Sequence, residues 1–299
     1  MIIVKLMGGL GNQMFQYALA RHLSIIHKTK LKLDLTFLLD RTPRENFVFR
    51  NFELDIFNIK AEIATNKDID NFFVKPKSTK WQDRLLEHIS PHSIKNEKYF
   101  HFDADILNSQ ENTYLEGYWQ SEKYFKHIEK IIRNDFIFKN EANELNGTFL
   151  KQILEPNSVA IHIRRGDYEK NPSTNAAHGL CSLEYYQKAI QIITQQIKQP
   201  HFYIFSDDNQ WAIDNFKIEL PTTYITQNST KRGFEDLRLM QNCKHFIIAN
   251  SSFSWWAAWL SVNKNKIVIA PEKWFNEHTK LYDTPIDKKD LLPNQWITI

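Results

Sequence analysis

His162, Arg164, Arg165 and Asp167 crowd into the stretch Ala160-Ile161-His162-Ile163-Arg164-Arg165-Gly166-Asp167-Tyr168, which starts as an apolar strand. Strand side chains alternate faces, so Val159, Ile161 and Ile163 share one side and His162 and Arg164 the other. The charged end is the carboxyl end of that strand, where open α/β sheets bind ligands. A guanidinium there can fork onto a phosphate. The competing use of the same arginines is ordinary surface ion pairing. Arg165-Gly166-Asp167 also spells a cell-adhesion tripeptide, but Met1-Ile2-Ile3-Val4-Lys5-Leu6 has neither the length nor the basic leader of a secretion signal.

Three other groups carry chemistry. Gly8-Gly9-Leu10-Gly11-Asn12-Gln13 links a strand to a helix, and its backbone N–H groups can face an anion or a sugar. Gly9 and Gly11 allow close approach, and the amides of Asn12 and Gln13 suit hydroxyl recognition. The dinucleotide fingerprint requires a glycine at position 14, where Met14 stands, yet Asp34 ends the next strand as a ribose-binding acid would. Asp207-Asp208 follows Tyr203-Ile204-Phe205-Ser206; the pair can hold a metal, bond a ribose or cap the next helix. Asn250-Ser251-Ser252-Phe253-Ser254 opens a helix, either as a plain N-cap or as a phosphate cradle of free N–H groups. Trp256 and Trp259, three apart on that helix, read as core rather than as a sugar platform. The chain has no GxSxG elbow, P-loop, HExxH or zinc spacing, and Cys181 and Cys243 stand alone.

The elements that must position these residues alternate. Residues 2–6, a helix over 12–27 with Phe15, Leu19, Leu23 and Ile26 inward, and a strand over 31–35 open the chain as βαβ. Residues 41–112 show no clear period and read as short helices and long loops. A strand over 113–117 and a helix over 121–138 follow, then a polar linker through 139–156 that can hold a short helix over 149–154. From Ser158 the strands 159–164, 201–206, 222–226, 245–249 and 266–270 alternate with helices 182–198, 211–216, 234–242 and 254–261. Ser182 is placed to cap the first of these helices. Alternation of this kind gives a parallel sheet with helices on both faces. The expected architecture is therefore α/β, two Rossmann-like domains facing across a cleft, with boundaries at 1–155 and 156–299.

Composition sets limits. The 299 residues carry a net charge of +3, are 42% hydrophobic and 24% charged, and hold 21 Phe, 11 Tyr and 8 Trp, enough for a sizeable core. No Lys/Arg block suits nucleic acid, and no apolar run is long enough to span a membrane. The expected location is cytoplasmic, with peripheral association at the inner membrane also open.

Taken together, Gly8-Gly9-Leu10-Gly11-Asn12-Gln13-Met14-Phe15-Gln16-Tyr17-Ala18, Gly117-Tyr118-Trp119-Gln120-Ser121-Glu122-Lys123-Tyr124-Phe125, His162-Ile163-Arg164-Arg165-Gly166-Asp167-Tyr168, Phe205-Ser206-Asp207-Asp208 and Asn250-Ser251-Ser252-Phe253-Ser254-Trp255-Trp256 resemble the bacterial α-1,2-fucosyltransferases, relatives of the α-1,6- and protein O-fucosyltransferases. The resemblance covers nearly the whole chain, in the family's order, except 41–112. It implies a GT-B-like fold and metal-independent, inverting transfer of fucose from GDP-fucose to the 2-hydroxyl of a terminal galactose in a surface glycan, without a cofactor. It further implies an N-terminal acceptor-side domain and a C-terminal domain that binds GDP. Arg164 would stabilise the leaving diphosphate together with the N–H groups of Ser251, Ser252 and Phe253. His162 and Asp207 would contact the nucleotide. Asp236, with Glu235 beside it, matches the acid that meets guanine. Gly9, Gly11, Asn12 and Gln13 would approach the sugar or phosphate. Asp167 is the chosen general base, with Glu169 and Asp207 as alternatives. An NAD-dependent oxidoreductase resting on Gly9, Gly11 and Asp34, and a non-catalytic sugar-nucleotide-binding protein, are the competing functions.

Overall fold

The computed structural model describes residues 1–45, 47–73, 92–155, 157–229, 232–277, 279–281 and 284–299. The side chains of Asp167, Lys170, Ser173, Leu281 and Thr284 lie outside that description. The chain forms two compact units. One comprises Met1–Pro43, Phe49–Ile137 and Leu281–Leu291; the other comprises Arg44–Val48, Phe138–Lys280 and Leu292–Ile299. The crossover falls at 137/138, ahead of the expected 155/156. The reason is the supposed linker: it folds as the helix Glu144–Ile153, capped by Asn143, and its buried Asn146 bonds Asn228 and Gln227 of the second unit.

The first unit holds a five-stranded parallel sheet. Its strands are β1 (Ile2–Lys5), β2 (Leu31–Asp34), β3 (Glu62–Ile63), β4 (Ser93–Asn96) and β5 (Thr113–Glu116), in the order β3-β2-β1-β5-β4. Central β1 is apolar on both faces, as a strand covered on both sides must be. β3 and β4 were not visible in the sequence. β3 is two exposed residues, and β4 is an edge strand of Ser, Ile, Lys and Asn without an apolar pattern. The helix Leu10–Ile26 buries Phe15, Leu19 and Leu23 as expected, but Ile26 is 48% exposed at its end. The helix expected over 121–138 is broken into the 3₁₀ turns Glu122–Tyr124 and Lys126–Ile128 and the helix Glu129–Asp135. Phe125, at φ −138°, interrupts it.

The second unit holds a six-stranded sheet. In spatial order it runs Ile297–Thr298, β10 (Val268–Ala270), β9 (His245–Ile247), β6 (Ser158–Ile163), β7 (His201–Ser206) and β8 (Thr222–Ile225), with parallel pairings. Val159, Ile161, Ile163, Phe202 and Ile204 pack against Tyr186, Ala189 and Ile193 of the helix Leu183–Gln196. From β6 the chain winds outward through β7 and β8; β9 and β10 lie on its other side. The switch point is therefore between β6 and β9. The helix Ser252–Leu260, which leaves β9, buries Trp255, Trp256 and Trp259 completely or nearly so, which settles them as core. Among the described residues no helix is long and apolar enough to cross a membrane.

A buried polar triad pins the first unit. The Tyr17 hydroxyl donates to Asp135 at 2.7 Å and accepts from the Lys60 N–H at 2.9 Å, while Arg21 Nε reaches the same carboxylate at 2.9 Å. Tyr17→Phe leaves a part-buried N–H and a buried carboxylate each short of one partner, so it should cost about 1–3 kcal/mol. Urea unfolding should show a lower midpoint with an unchanged slope.

Candidate functional site

β6 ends at Ile163, and the chain turns through Arg164 and Arg165 into the short helix Gly166–Lys170. A carboxylate from the end of β7 shapes that turn. Asp207 Oδ2 lies 2.7 Å from Arg164 Nη1, Oδ1 accepts the Arg165 N–H at 2.8 Å, and the Gly166 N–H donates to the same carboxylate. A Cβ on Gly166 would stand 2.6 Å from Asp207 Oδ2, so only glycine permits this approach. Burial alone would raise the Asp207 pKa; Arg164 and the two N–H groups outweigh it and hold the carboxyl below its usual range. Asp207 thus serves as a brace. Three donors already sit on its two oxygens, so holding the turn is the role its geometry displays.

The two arginines separate in role. Arg164 lies with its guanidinium carbon 5.2 Å from the centre of the Tyr168 ring, and one of its five N–H groups is on Asp207. Arg165 stacks 3.9 Å over Trp211 and pairs with Glu169 at 2.5 Å. Both contacts tie Arg165 to its own surroundings, and Glu169 is its ion-pair partner. The Asp167 side chain lies outside the described residues.

His162 is 4% exposed, and its ring centre is 5.7 Å from that of Phe253. Its Nδ1 is buried with no hydrogen-bond partner among the described residues. Burial pushes its pKa down to about 4; Asp207 pulls it up and Arg164 pushes it further down. The ring is neutral at pH 7. Its contact with Phe253 joins the carboxyl end of β6 to the start of the helix Ser252–Leu260, across the switch point. Tyr168, which the sequence left without a role, makes the same junction by donating its hydroxyl to the Asn250 carbonyl at 3.1 Å.

The expected cradle of open N–H groups at Ser251–Phe253 is partly closed. Ser251 donates its N–H to Ala249 at 2.8 Å, and its hydroxyl takes the Phe253 N–H at 3.3 Å as an N-cap. That cap bond is long, so an arriving anion can compete for it. Ser252 and the Phe253 ring are half-buried beside it.

On the helix Gly233–Met240 the two candidate acids diverge. Glu235 is 2% exposed and pairs with Arg238 at 2.8 Å and Arg232 at 3.4 Å. Asp236 is half-buried; its Oδ1 accepts from Asn228 at 2.8 Å, and burial lifts its pKa to about 7. The ion pair removes Glu235 from consideration, and Asp236 remains the acid set among amides.

In the first unit, Gly8 takes φ +73°, and a Cβ there would meet Asn12 Nδ2 at 2.4 Å. Gly9 begins the helix Leu10–Ile26, and Gly11 is buried in its first turn. Asn12 is half-buried. Gln13 is fully buried: its Nε2 donates to Gly8 at 2.9 Å and Asn51 at 2.8 Å, and its Oε1 accepts from Glu53 at 3.0 Å. It ties the following loop to the turn and exposes no amide, which corrects its expected ligand role. That loop brings Arg50 to 3.9 Å from the Cβ position of Gly9, a cation that no motif in 41–112 revealed. Asp34 is 1% exposed and is taken by Thr36 N–H at 2.8 Å and by the Tyr114 hydroxyl. The acid on which the NAD reading relied is therefore sealed in the core.

The depressed His162 has a stability signature. Between its folded value near 4 and the unfolded value near 6.5, the unfolded chain binds the extra proton. His162 thus costs stability progressively as pH falls through that window, with a limiting slope of about 1.4 kcal/mol per pH unit. Tm measured from pH 7 to pH 4 should fall less steeply for His162→Leu than for the natural chain.

The Glycosyl transferase family 11 profile matches residues 1–299. The chain is 33% identical over 315 residues to an α-1,2-colitosyltransferase of Escherichia coli, spanning 100% of this chain and 98% of that protein. It is 35% identical over 295 residues to the O-antigen biosynthesis glycosyltransferase WbnK of Escherichia coli, spanning 92% and 95%. The crystal structure of NodZ α-1,6-fucosyltransferase soaked with GDP-fucose is similar in fold, with TM-score 0.50 and 14% identity over 87% of this chain and 92% of that one. With its two parallel-sheet α/β units, the fold is GT-B-like. The chain, matched from end to end, belongs to glycosyltransferase family 11 and is a glycosyltransferase.

Proposed function

We propose that this glycosyltransferase moves L-fucose from GDP-β-L-fucose to the 2-hydroxyl of a terminal galactose, with inversion, during assembly of a surface glycan such as an O-antigen. The observation that carries the reading is the junction at the β6/β9 switch point. There His162, with a buried unpartnered Nδ1, meets Phe253 at the capped start of the helix Ser252–Leu260, and Arg164, two residues further on, is fixed by Asp207. As the glycosidic C1–O bond breaks, negative charge grows on the diphosphate, and a pre-placed guanidinium stabilises it without reorganisation. Neutral His162 orients the nucleotide, Asp236 meets the base, and the long Ser251 cap yields an N–H to a phosphate oxygen. The first unit carries the acceptor and presents Gly9, Gly11 and Asn12; residues 41–112 shape its selectivity. Asp167 takes the acceptor proton, and a largely dissociative transition state keeps the demand on that base small. The bond formed is C1 to the galactose O2; the bond broken is C1 to the diphosphate oxygen, and GDP leaves.

A second reading is favoured by the full-length likeness to an α-1,2-colitosyltransferase. Colitose is fucose without its 3-hydroxyl, so the two donors differ at one polar group. A site that bonds this hydroxyl rejects the analogue lacking it far more strongly than an apolar site rejects the added hydroxyl.

GDP release should be followed with GDP-fucose and with GDP-colitose, using lactose and a β-1,3-linked galactoside as acceptors. We expect kcat/KM to be at least about tenfold higher for GDP-fucose, and kcat to fall about 100- to 1,000-fold in Arg164→Ala. A preference for GDP-colitose transfers the assignment to that sugar. No turnover with either donor on any galactoside overturns the acceptor class, and an Arg164→Ala variant of normal kcat overturns the site.

A further inference from the structure

We propose that Gln120 is a positioning residue that fixes the amide of Asn12, so that Asn12 presents its N–H edge and not its carbonyl edge to the Gly8–Gly9 turn; this rests on the reading of that turn as part of the ligand site. Gln120 Nε2 donates to Asn12 Oδ1 at 2.8 Å. An amide can sit either way round in a given space, and the two orientations exchange a donor for an acceptor. The bond from Gln120, with its Nε2 as the donor, selects one of those two orientations. It takes the oxygen of Asn12 and leaves Nδ2 over Gly8, at 2.4 Å from where a Cβ would be.

Gln120 leaves a tightly constrained turn. It is 8% exposed and follows Trp119, which takes φ +57° and is 1% exposed. A bulky residue adopts that left-handed backbone only where its surroundings impose it. Here the imposing group is Glu97, a 2% exposed carboxylate whose two oxygens accept the N–H groups of Tyr118 at 2.7 Å and Trp119 at 2.9 Å. Gly117 completes the turn, since a Cβ on it would stand 2.4 Å from the Glu97 Cβ. The Ser121 N–H closes the turn back onto the Trp119 carbonyl at 2.8 Å. A strained turn, a buried carboxylate and an obligatory glycine therefore set the backbone from which this side-chain amide projects. The group that amide touches is the half-buried Asn12.

The test is a double-mutant cycle between Gln120→Met and Asn12→Ala, using whichever donor and acceptor the natural enzyme turns over. We expect each single variant to fold and to lower kcat/KM about tenfold, the equivalent of one lost hydrogen bond. The double variant should be no worse than Asn12→Ala alone, because Gln120 acts through Asn12. Gln120→Glu, close in shape and unable to donate when ionised, should also lose about tenfold at neutral pH, which keeps the test open if Gln120→Met does not fold. Losses that multiply in the double variant overturn the positioning role, as does a Gln120 variant of normal kcat/KM. An Asn12→Ala variant of normal kcat/KM, in an enzyme that still depends on Arg164, overturns the role of the turn and leaves the diphosphate site standing.

Discussion

The carboxylate of Asp207 is the constraint on which the carboxyl end of the second unit's sheet depends. A buried anion must be matched, and here the match comes from Arg164 and from two successive N–H groups of the turn that follows β6. One charge therefore does two jobs: it bends the chain after a fully buried strand, and it stops the arginine from sampling other rotamers. Removing the carboxylate would leave Arg164 without this counter-charge, and two amides without this acceptor. Gly166 follows from the same demand, since the oxygen occupies the place of its Cβ.

Around this centre, main-chain carbonyls do the joining. Tyr168 reaches the carbonyl of Asn250; the Asn250 amide donates to His178 at 3.0 Å and to Trp274 at 3.2 Å; Tyr185 reaches the carbonyl of Ile248 at 2.7 Å. Each bond crosses from one β–α connection to another. The carboxyl end of the sheet is thereby cross-linked by side chains that leave the sheet's own ladder untouched. Loops held in this way can present a preorganised surface to a charged ligand, which is where electrostatic stabilisation gains most.

The second unit was legible in the sequence because its strands are apolar runs between capped, periodic helices. The strand and helix positions from Ser158 to Ala270 agree with expectation to within a few residues, apart from the two short helices Gly166–Lys170 and Pro172–His178 in what read as a loop; the short strands Lys280–Leu281, Thr284–Pro285 and Ile297–Thr298 beyond them were not expected. The first unit was half legible. β3 and β4 lie at the sheet's edges and carry polar or exposed residues, so no hydrophobic period marks them. Among the candidate site residues, the common placement of Arg164 and His162 was readable from alternation along one strand. Gln13 and Asn12 were not separable, because adjacent helical amides of like chemistry differ only in which way the helix turns them. Asp207 was recognised as important, but its role as a brace depends on β6 and β7 being neighbours in the sheet, which spacing along the chain does not reveal.

Six of the eight tryptophans, at positions 211, 255, 256, 259, 274 and 296, belong to the second unit. Trp255, Trp256 and Trp259 contact one another, Trp255 also meets Trp296, and Trp211 lies under Arg165 next to the Asp207 turn. The ultraviolet emission of the protein is therefore weighted toward one half of the chain. Intrinsic fluorescence reports the second unit far more than the first, whereas far-ultraviolet circular dichroism reports both. The molecule carries its own label for distinguishing the unfolding of its two halves.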